Sequence, residues 1–226
     1  MHSTLACVSR TILIAPFDGP LATALASEAG DAGWSVALAL AGGSSSALPS
    51  EARPGKAQAA CLSYDGRSFV SASALVLSAE NAIGPLDAAV LVFDPAAAKA
   101  DFMAAKPGEL SFFVDERCSG PLFLARELAR RFETRKSGRL LLLAPESPRD
   151  AAIGPIASMA DGAFEGLGSG LFAASASSSW SAYGLRDASG QADRVARYAL
   201  ELLSEPKPTK AGRWLRYSGK GGFFGQ

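Results

Sequence analysis

The sequence predicts an α/β domain built on a doubly wound parallel sheet of about seven strands, with helices on both faces. Three observations predict it. Short apolar runs alternate with longer segments of helical spacing along all 226 residues. Most of those runs are apolar at every position, as befits strands covered on both sides. Strand and helix also follow one another five or six times without consecutive hairpins, which requires crossover connections and parallel pairing. A composition of 48% hydrophobic and 19% charged residues supplies a large core. No internal repeat and no long linker divides the chain, so residues 1–226 read as a single domain.

Taken in order, the strand candidates are Thr11–Ala15, Trp34–Leu40, Ala59–Ser63, Ala88–Phe93, Arg139–Ala144 and Arg213–Tyr217, with Ser178–Leu185 as a further one. The helical segments between them are Leu21–Ala32, Ser68–Asn81, Glu109–Thr134, Ile156–Ser175 and Gln191–Ser204, each poor in breakers for its length. Gly42–Ser50 and Ala173–Ser181 are small-residue stretches that read as loops. In an open parallel sheet the ligand crevice lies at the carboxyl ends of the strands. The first turn, Ala15-Pro-Phe-Asp-Gly-Pro-Leu-Ala22, is therefore where a phosphate would be sought.

Composition excludes several chemistries. Twenty-two basic and 22 acidic side chains give zero net charge, so neither the footprint of a nucleic-acid binder nor that of a polybasic membrane binder is present. The chain has one histidine, His2, and one asparagine, Asn81, and no lysine between Lys136 and Lys207. A histidine base, a histidine metal site or a mid-chain lysine is therefore not expected. Cys7, Cys61 and Cys118 are too far apart in sequence for a zinc site and read as buried or half-buried free thiols. The apolar run from Thr11 to Phe17 is too short to span a membrane and no secretory cleavage pattern precedes it, so a reducing cytoplasm is the expected compartment.

Five stretches carry a further resemblance: Ala26-Ser-Glu-Ala-Gly-Asp-Ala-Gly33 with Val36; Leu62-Ser-Tyr-Asp65; Gly120-Pro-Leu-Phe-Leu124; Gly162-Ala-Phe-Glu-Gly-Leu167; and Gly212-Arg-Trp-Leu-Arg-Tyr217 with Gly219. In order and spacing they resemble the short-chain dehydrogenase/reductase family from about residue 10 to residue 222. The resemblance implies a Rossmann-like fold, a nicotinamide dinucleotide (NAD or NADP) in active members, and dimers or tetramers. It places the family's three cofactor-loop glycines at Pro16, Pro20 and Ala22. Proline deletes an amide donor and fixes φ, the opposite of what a pyrophosphate needs there. Pro20 instead suits a helix start, with Asp18 or Gly19 ahead of it as N-cap. The Asp18 carboxylate then either sits by the positive helix end where a pyrophosphate would bind or is a solvent-facing turn residue. The run after the second strand, Leu38-Ala-Leu-Ala-Gly-Gly-Ser44, has no charge to read a ribose, and Phe93-Asp-Pro-Ala96 stands where the family has NNAG. Asp65 is retained at a position that the resemblance puts near the adenine.

The same resemblance puts the family's catalytic tyrosine and lysine at Ala157 and Asp161, its serine at or beside Ala144 and Pro145, and its asparagine at Arg117. This absence does not depend on register, because the residues four beyond Tyr64, Tyr183, Tyr198 and Tyr217 are Ser68, Asp187, Leu202 and Gly221, so no YxxxK exists. A lysine there lowers the tyrosine pKa; an aspartate raises it. Arg117 and Asp161 are either an ion pair filling the vacated centre or two unrelated surface charges. Ser147 and Ser158 lack a base, and Glu146, Asp150, Asp161 and Glu165 show no paired spacing. No catalytic, cofactor-binding or metal residue is thus expected. The leading expectation is a non-catalytic member of this family, partnered by itself or by a catalytically competent relative, the glycine-bearing helix Ile156–Ser175 packing closely across a subunit boundary. The alternatives are an active NAD(P)-dependent oxidoreductase with displaced groups and a small-ligand or nucleotide sensor. Tyr183–Asp187 passes almost directly into the last helix, which leaves little lid over a ligand.

Overall fold

The protein was analysed as a computed structural model that describes residues 10–41, 58–94, 102–146 and 154–219. Its elements are β1 (Thr11–Ala15), α1 (Gly19–Asp31), β2 (Ser35–Ala41), β3 (Ala59–Tyr64), α2 (Phe69–Ile83), β4 (Ala88–Val92), α3 (Pro107–Val114), α4 (Gly120–Arg135), β5 (Arg139–Pro145), α5 (Pro155–Ser175), β6 (Ser181–Asp187), α6 (Ala192–Ser204) and β7 (Trp214–Tyr217). The seven strands form one sheet in the order β3-β2-β1-β4-β5-β6-β7, and every paired neighbour is parallel. The chain winds outward from β1 to β3 and then returns to place β4 on the other side of β1. That reversal makes β1 and β4 the switch point of the sheet.

Central strands are apolar on both faces because both faces are covered. Every residue of β1 and β4 is buried, and so are Leu140 to Ala144 of β5. Alternate side chains feed two cores. Leu13, Leu91, Leu142 and their neighbours pack under α2 to α5, while Ile12, Ile14, Leu141 and Leu143 pack under α1 and α6. The edge strand β3 is only half covered, which leaves Cys61 exposed rather than buried as the sequence suggested. Cys118 is half-buried, as expected, and both thiols are free. Cys7, His2, Ser147, Asp150, the Gly42–Ser50 loop and the residues beyond Gly219 lie outside the described residues. Among the described residues no helix is long and apolar enough to cross a membrane.

Two elements differ from expectation. The segment Glu109–Thr134 is not one α-helix: a π-helical turn, Asp115–Ser119, separates α3 from α4. Pro121 has no N–H to give the Arg117 carbonyl, so the α-ladder is interrupted at that point, and Gly120 N–H instead bonds Asp115 O five residues back. The Ala173–Ser181 stretch is helical as far as Ser175, and the strand after it runs through Asp187 as a full member of the sheet between β5 and β7. The connection from β6 to α6 is as short as expected. The buried Asp187 carboxylate closes it by accepting from Ser189 N, Ser189 Oγ and Gly190 N.

α2 and α4 are tied by charge as well as by apolar packing. The Glu127 carboxylate is 1% exposed and meets Arg130 at 2.9 Å and Arg131 at 3.5 Å, and Arg131 reaches Glu80 of α2 at 3.6 Å. The hydrogen bond from Arg130 holds the Glu127 carboxyl below the usual range, against the opposing effect of burial.

Gly120 and Gly66 touch where the β3–α2 turn meets the start of α4. A Cβ at Gly120 would lie 2.7 Å from the Gly66 carbonyl oxygen, a backbone atom with no rotamer to yield. Gly120→Ala is expected to lower stability by about 1–3 kcal/mol, measured by urea unfolding, with the far-UV circular dichroism of the folded state unchanged.

Candidate functional site

The crevice over the switch point is lined by Ala15, Pro16 and Asp18 after β1, Tyr64 and Gly66 after β3, Leu91 to Phe93 after β4, Glu116 and Arg117 of the π turn, the first residues of α4, and Phe164 of α5. Its volume is about 560 Å3, counted with the part open to solvent. The first turn offers little to a phosphate. Pro16 and Pro20 carry no N–H, Phe17 N–H is committed to Ala39 O at 2.6 Å, and only Asp18 and Gly19 of that five-residue stretch keep amides without such a commitment. Pro20 does start α1, and Asp18 takes the N-cap backbone position. Its carboxylate accepts no cap hydrogen bond, however, so the expectation that it neutralises the helix end directly is not met. Ala22, the third glycine position, is fully buried against the second core, where a methyl group has a packing role.

Asp18 lines the crevice instead. Although its surface is exposed, crowding by the surrounding walls strips water from the carboxyl and raises its pKa. Arg117 pulls the other way, while Asp94 and Glu116 add to the rise. Three carboxylates around one guanidinium make this rim unfavourable for a pyrophosphate. Asp65 is retained but engaged: Arg67 pairs with it at 3.0 Å and its own backbone and that of Arg67 close a local turn. That hydrogen-bonded pair holds the Asp65 carboxyl below its usual value.

The positions at which the resemblance sought catalytic residues carry other chemistry. Ala157 and Asp161 are one turn apart on α5, and Ala144, fully buried in β5, is the cross-strand neighbour of Arg186 in β6. Arg186 donates to Asp161 at 2.5 Å and approaches Glu165 at 3.6 Å. Of the two readings of Arg117 and Asp161, the ion pair does not form; Asp161 is taken by Arg186, and Arg117 lies in the crevice near Asp18. The physical reason is reach and register: the pairing of β5 with β6 puts Arg186 directly beneath α5, whereas the π turn turns Arg117 toward β1.

Trp214 of β7 completes this centre. The Arg186 guanidinium stands 4.8 Å from its ring centroid, and the ring packs where a Cβ on Gly184 or Gly168 would come within 2.3 or 2.5 Å of it. Phe164 stacks on Phe93 at 4.6 Å and leans on Trp214 at 6.1 Å. Of the α5 glycines, Gly168 thus accommodates a ring of the same chain, while Gly162, Gly166 and Gly170 face open space. Sequence reasoning missed Arg186 and Trp214. The signals available were a basic residue at the end of the apolar run Ala182-Tyr-Gly-Leu185 and a glycine in the middle of that run. Glu146, part of the loose acidic set, is bound by Arg216 at 2.6 Å. Among the described residues no cluster of histidine, cysteine or carboxylate side chains fits a metal ion.

No family model and no curated protein matches the sequence. Solved structures do match the fold. A short-chain dehydrogenase/reductase from Serratia marcescens superposes with a TM-score of 0.76 at 14% identity, covering 92% of this chain and 96% of that one. A dehydrogenase/reductase from Sinorhizobium meliloti gives a TM-score of 0.75 at 15% identity, covering 92% of each chain. A short-chain dehydrogenase/reductase from the same organism gives 0.74 at 16%, covering 94% and 97%. The chain therefore has the Rossmann-like fold of the short-chain dehydrogenase/reductases, as the residues suggested.

Tyr64 forms part of the crevice floor, and its hydroxyl donates to Gly120 O at 3.2 Å. Burial, with the Asp65 charge adding to it, pushes its phenol up to about 12. A folded pKa above the unfolded value of about 10 leaves stability untouched below pH 10 and removes it as pH rises toward 12. Urea unfolding from pH 9 to pH 11 is expected to show a steeper loss for the wild type than for Tyr64→Phe, which lacks the ionisable hydroxyl.

Proposed function

We propose that this protein is a non-catalytic member of the short-chain dehydrogenase/reductase group that acts by association, as a homodimer or tetramer or as a partner of a catalytically competent relative. The observation that carries the reading is the Arg186–Asp161 pair, 2.5 Å long, where the chemistry of that fold needs a lysine beside a tyrosine. A carboxylate held by its own arginine neither lowers a phenol pKa nor leaves room for a cofactor-facing cation. The proline-bearing first turn and the acidic rim support the same reading for the cofactor, so NAD and NADP are not expected to bind. Among the described residues Cys61 and Cys118 are free thiols, as a reducing compartment would keep them.

Calorimetric titration of the full chain with NADH and NADPH is expected to give no saturable heat. The double variant Ala157→Tyr/Asp161→Lys is expected to stay inactive in NADPH oxidation with carbonyl substrates and to lose roughly 2 kcal/mol of stability, because the new lysine faces Arg186 in place of its nearest carboxylate and only the more exposed Glu165 remains beside them. Micromolar binding of either nucleotide would overturn the reading in favour of an active oxidoreductase with displaced groups.

The associative part rests on where apolar surface is left. The exposed large hydrophobic side chains include Val70 and Leu77 on α2, Phe112 and Val114 on α3, Leu122 on α4 and Met159 on α5, and none belongs to α1 or α6. The open side of Gly162, Gly166 and Gly170 adds a row of α5 that another helix can approach closely. Native mass spectrometry is expected to find dimers or tetramers for the wild type and monomers for Leu122→Glu/Met159→Glu. A monomeric wild type with no competent relative of the same fold captured from the host would end the proposal.

A further inference from the structure

We infer that the switch-point crevice binds a small, uncharged and mainly apolar molecule that carries a hydrogen-bond acceptor, with the Arg117 guanidinium as its donor. The inference rests on the reading above that no dinucleotide occupies the crevice, and it names the class of molecule that does.

The walls set the apolar part. Pro16, Leu91, Phe93, Leu124 and Phe164 line the space, and the Phe93–Phe164 stack offers a flat aromatic surface. Backbone and side chain leave few polar groups free among them. The Tyr64 hydroxyl is already donating to Gly120 O. Arg117 is the exception: its Nε is buried and has no hydrogen-bond partner, and no ion pair engages it among the described residues. A buried donor without an acceptor is costly, and a ligand acceptor relieves that cost. The missing amide of Pro121 and the π turn before it are what hold Arg117 at this place.

Charge then selects the class. Asp18, Glu116 and the nearby Asp94 oppose an anion, so a carboxylate or phosphate is disfavoured even though Arg117 would attract it. Arg117 opposes a cation in the same small volume. A neutral acceptor such as a carbonyl satisfies the guanidinium without adding a charge beside the carboxylates. The crevice opens to solvent, and its walls are mostly apolar with a few polar groups, the make-up of a small-molecule site.

Fluorescence titration of the full chain with 6-propionyl-2-(dimethylamino)naphthalene, a flat neutral ketone whose emission moves to the blue in dry surroundings, tests this. Saturable one-to-one binding with a blue shift is expected. Arg117→Met and Pro121→Trp, each confirmed folded by far-UV circular dichroism, are expected to weaken it at least about fivefold, one removing the donor and the other both filling the space and restoring the amide whose absence places Arg117. 2-Naphthoate, the anionic counterpart, is expected to bind about tenfold more weakly than the ketone to the wild type, a comparison that needs no variant. Absence of saturable binding, equal binding by both variants, or preference for the naphthoate would overturn the inference. Displacement of the ketone by NADH would instead overturn the reading of the crevice as closed to dinucleotides, so the two failures are told apart.

Discussion

The ring of Trp214 occupies space that exists only because residues 168 and 184 are glycines, and much of the site follows from that contact. It joins three elements that are far apart in sequence: β7, the middle of β6 and the second half of α5. With the ring in place, Phe164 is held between Trp214 and Phe93, and Arg186 is covered on one side by the indole while its other side meets Asp161. An aromatic and ionic plug therefore fills the space between α5, β6 and β7. Such a plug is more than the loss of a few side chains. Apolar stacking and a short charge-assisted hydrogen bond reinforce one another in surroundings that water reaches poorly.

The crevice on the other side of Phe164 follows a complementary logic. A parallel sheet with this winding leaves a cleft at the switch point whatever its side chains are. What the cleft accepts depends on which amides and charges face it. Two prolines and the Phe17–Ala39 hydrogen bond withdraw donors from the first turn. Asp18, Asp94 and Glu116 then set an acidic field that a diphosphate would enter at a cost. The π turn moves Arg117 in the opposite sense, placing a positive group with a free donor among aromatic walls. Selection by such a site depends on hydrogen-bond polarity and shape more than on net charge.

Much of the fold was legible from the chain. TILIA, AAVLV and RLLLLA are apolar at each position, and only a strand covered on both sides uses such a run. The start of α1 carries a readable signal, Pro20 in its first turn, and the starts of α2 and α5 carry a capping Ser68 and Pro155. The break at Asp115–Ser119 was less visible, because Pro121 acts on a carbonyl four residues earlier and a helix can absorb that loss by widening instead of ending. Cys61 reads as buried or half-buried because its strand is apolar like the others, yet it is exposed. Whether a strand lies at the edge is decided by pairing order, which periodicity does not carry.

By itself the sequence determined the class of architecture and the absences: no tyrosine four residues before a lysine, no glycine at positions 16, 20 or 22 of the first turn, no histidine beyond His2. Those are statements about which residues exist, and they hold in any conformation. Tertiary structure decided the pairings. Arg117 and Asp161 look equally available to each other along the chain, yet the register of β5 with β6 delivers Arg186 to Asp161 and the π turn delivers Arg117 to Asp18's crevice. Ion pairs form between groups that backbone geometry brings within a few ångströms, and residues 25 apart in sequence meet there only because the parallel sheet is in place.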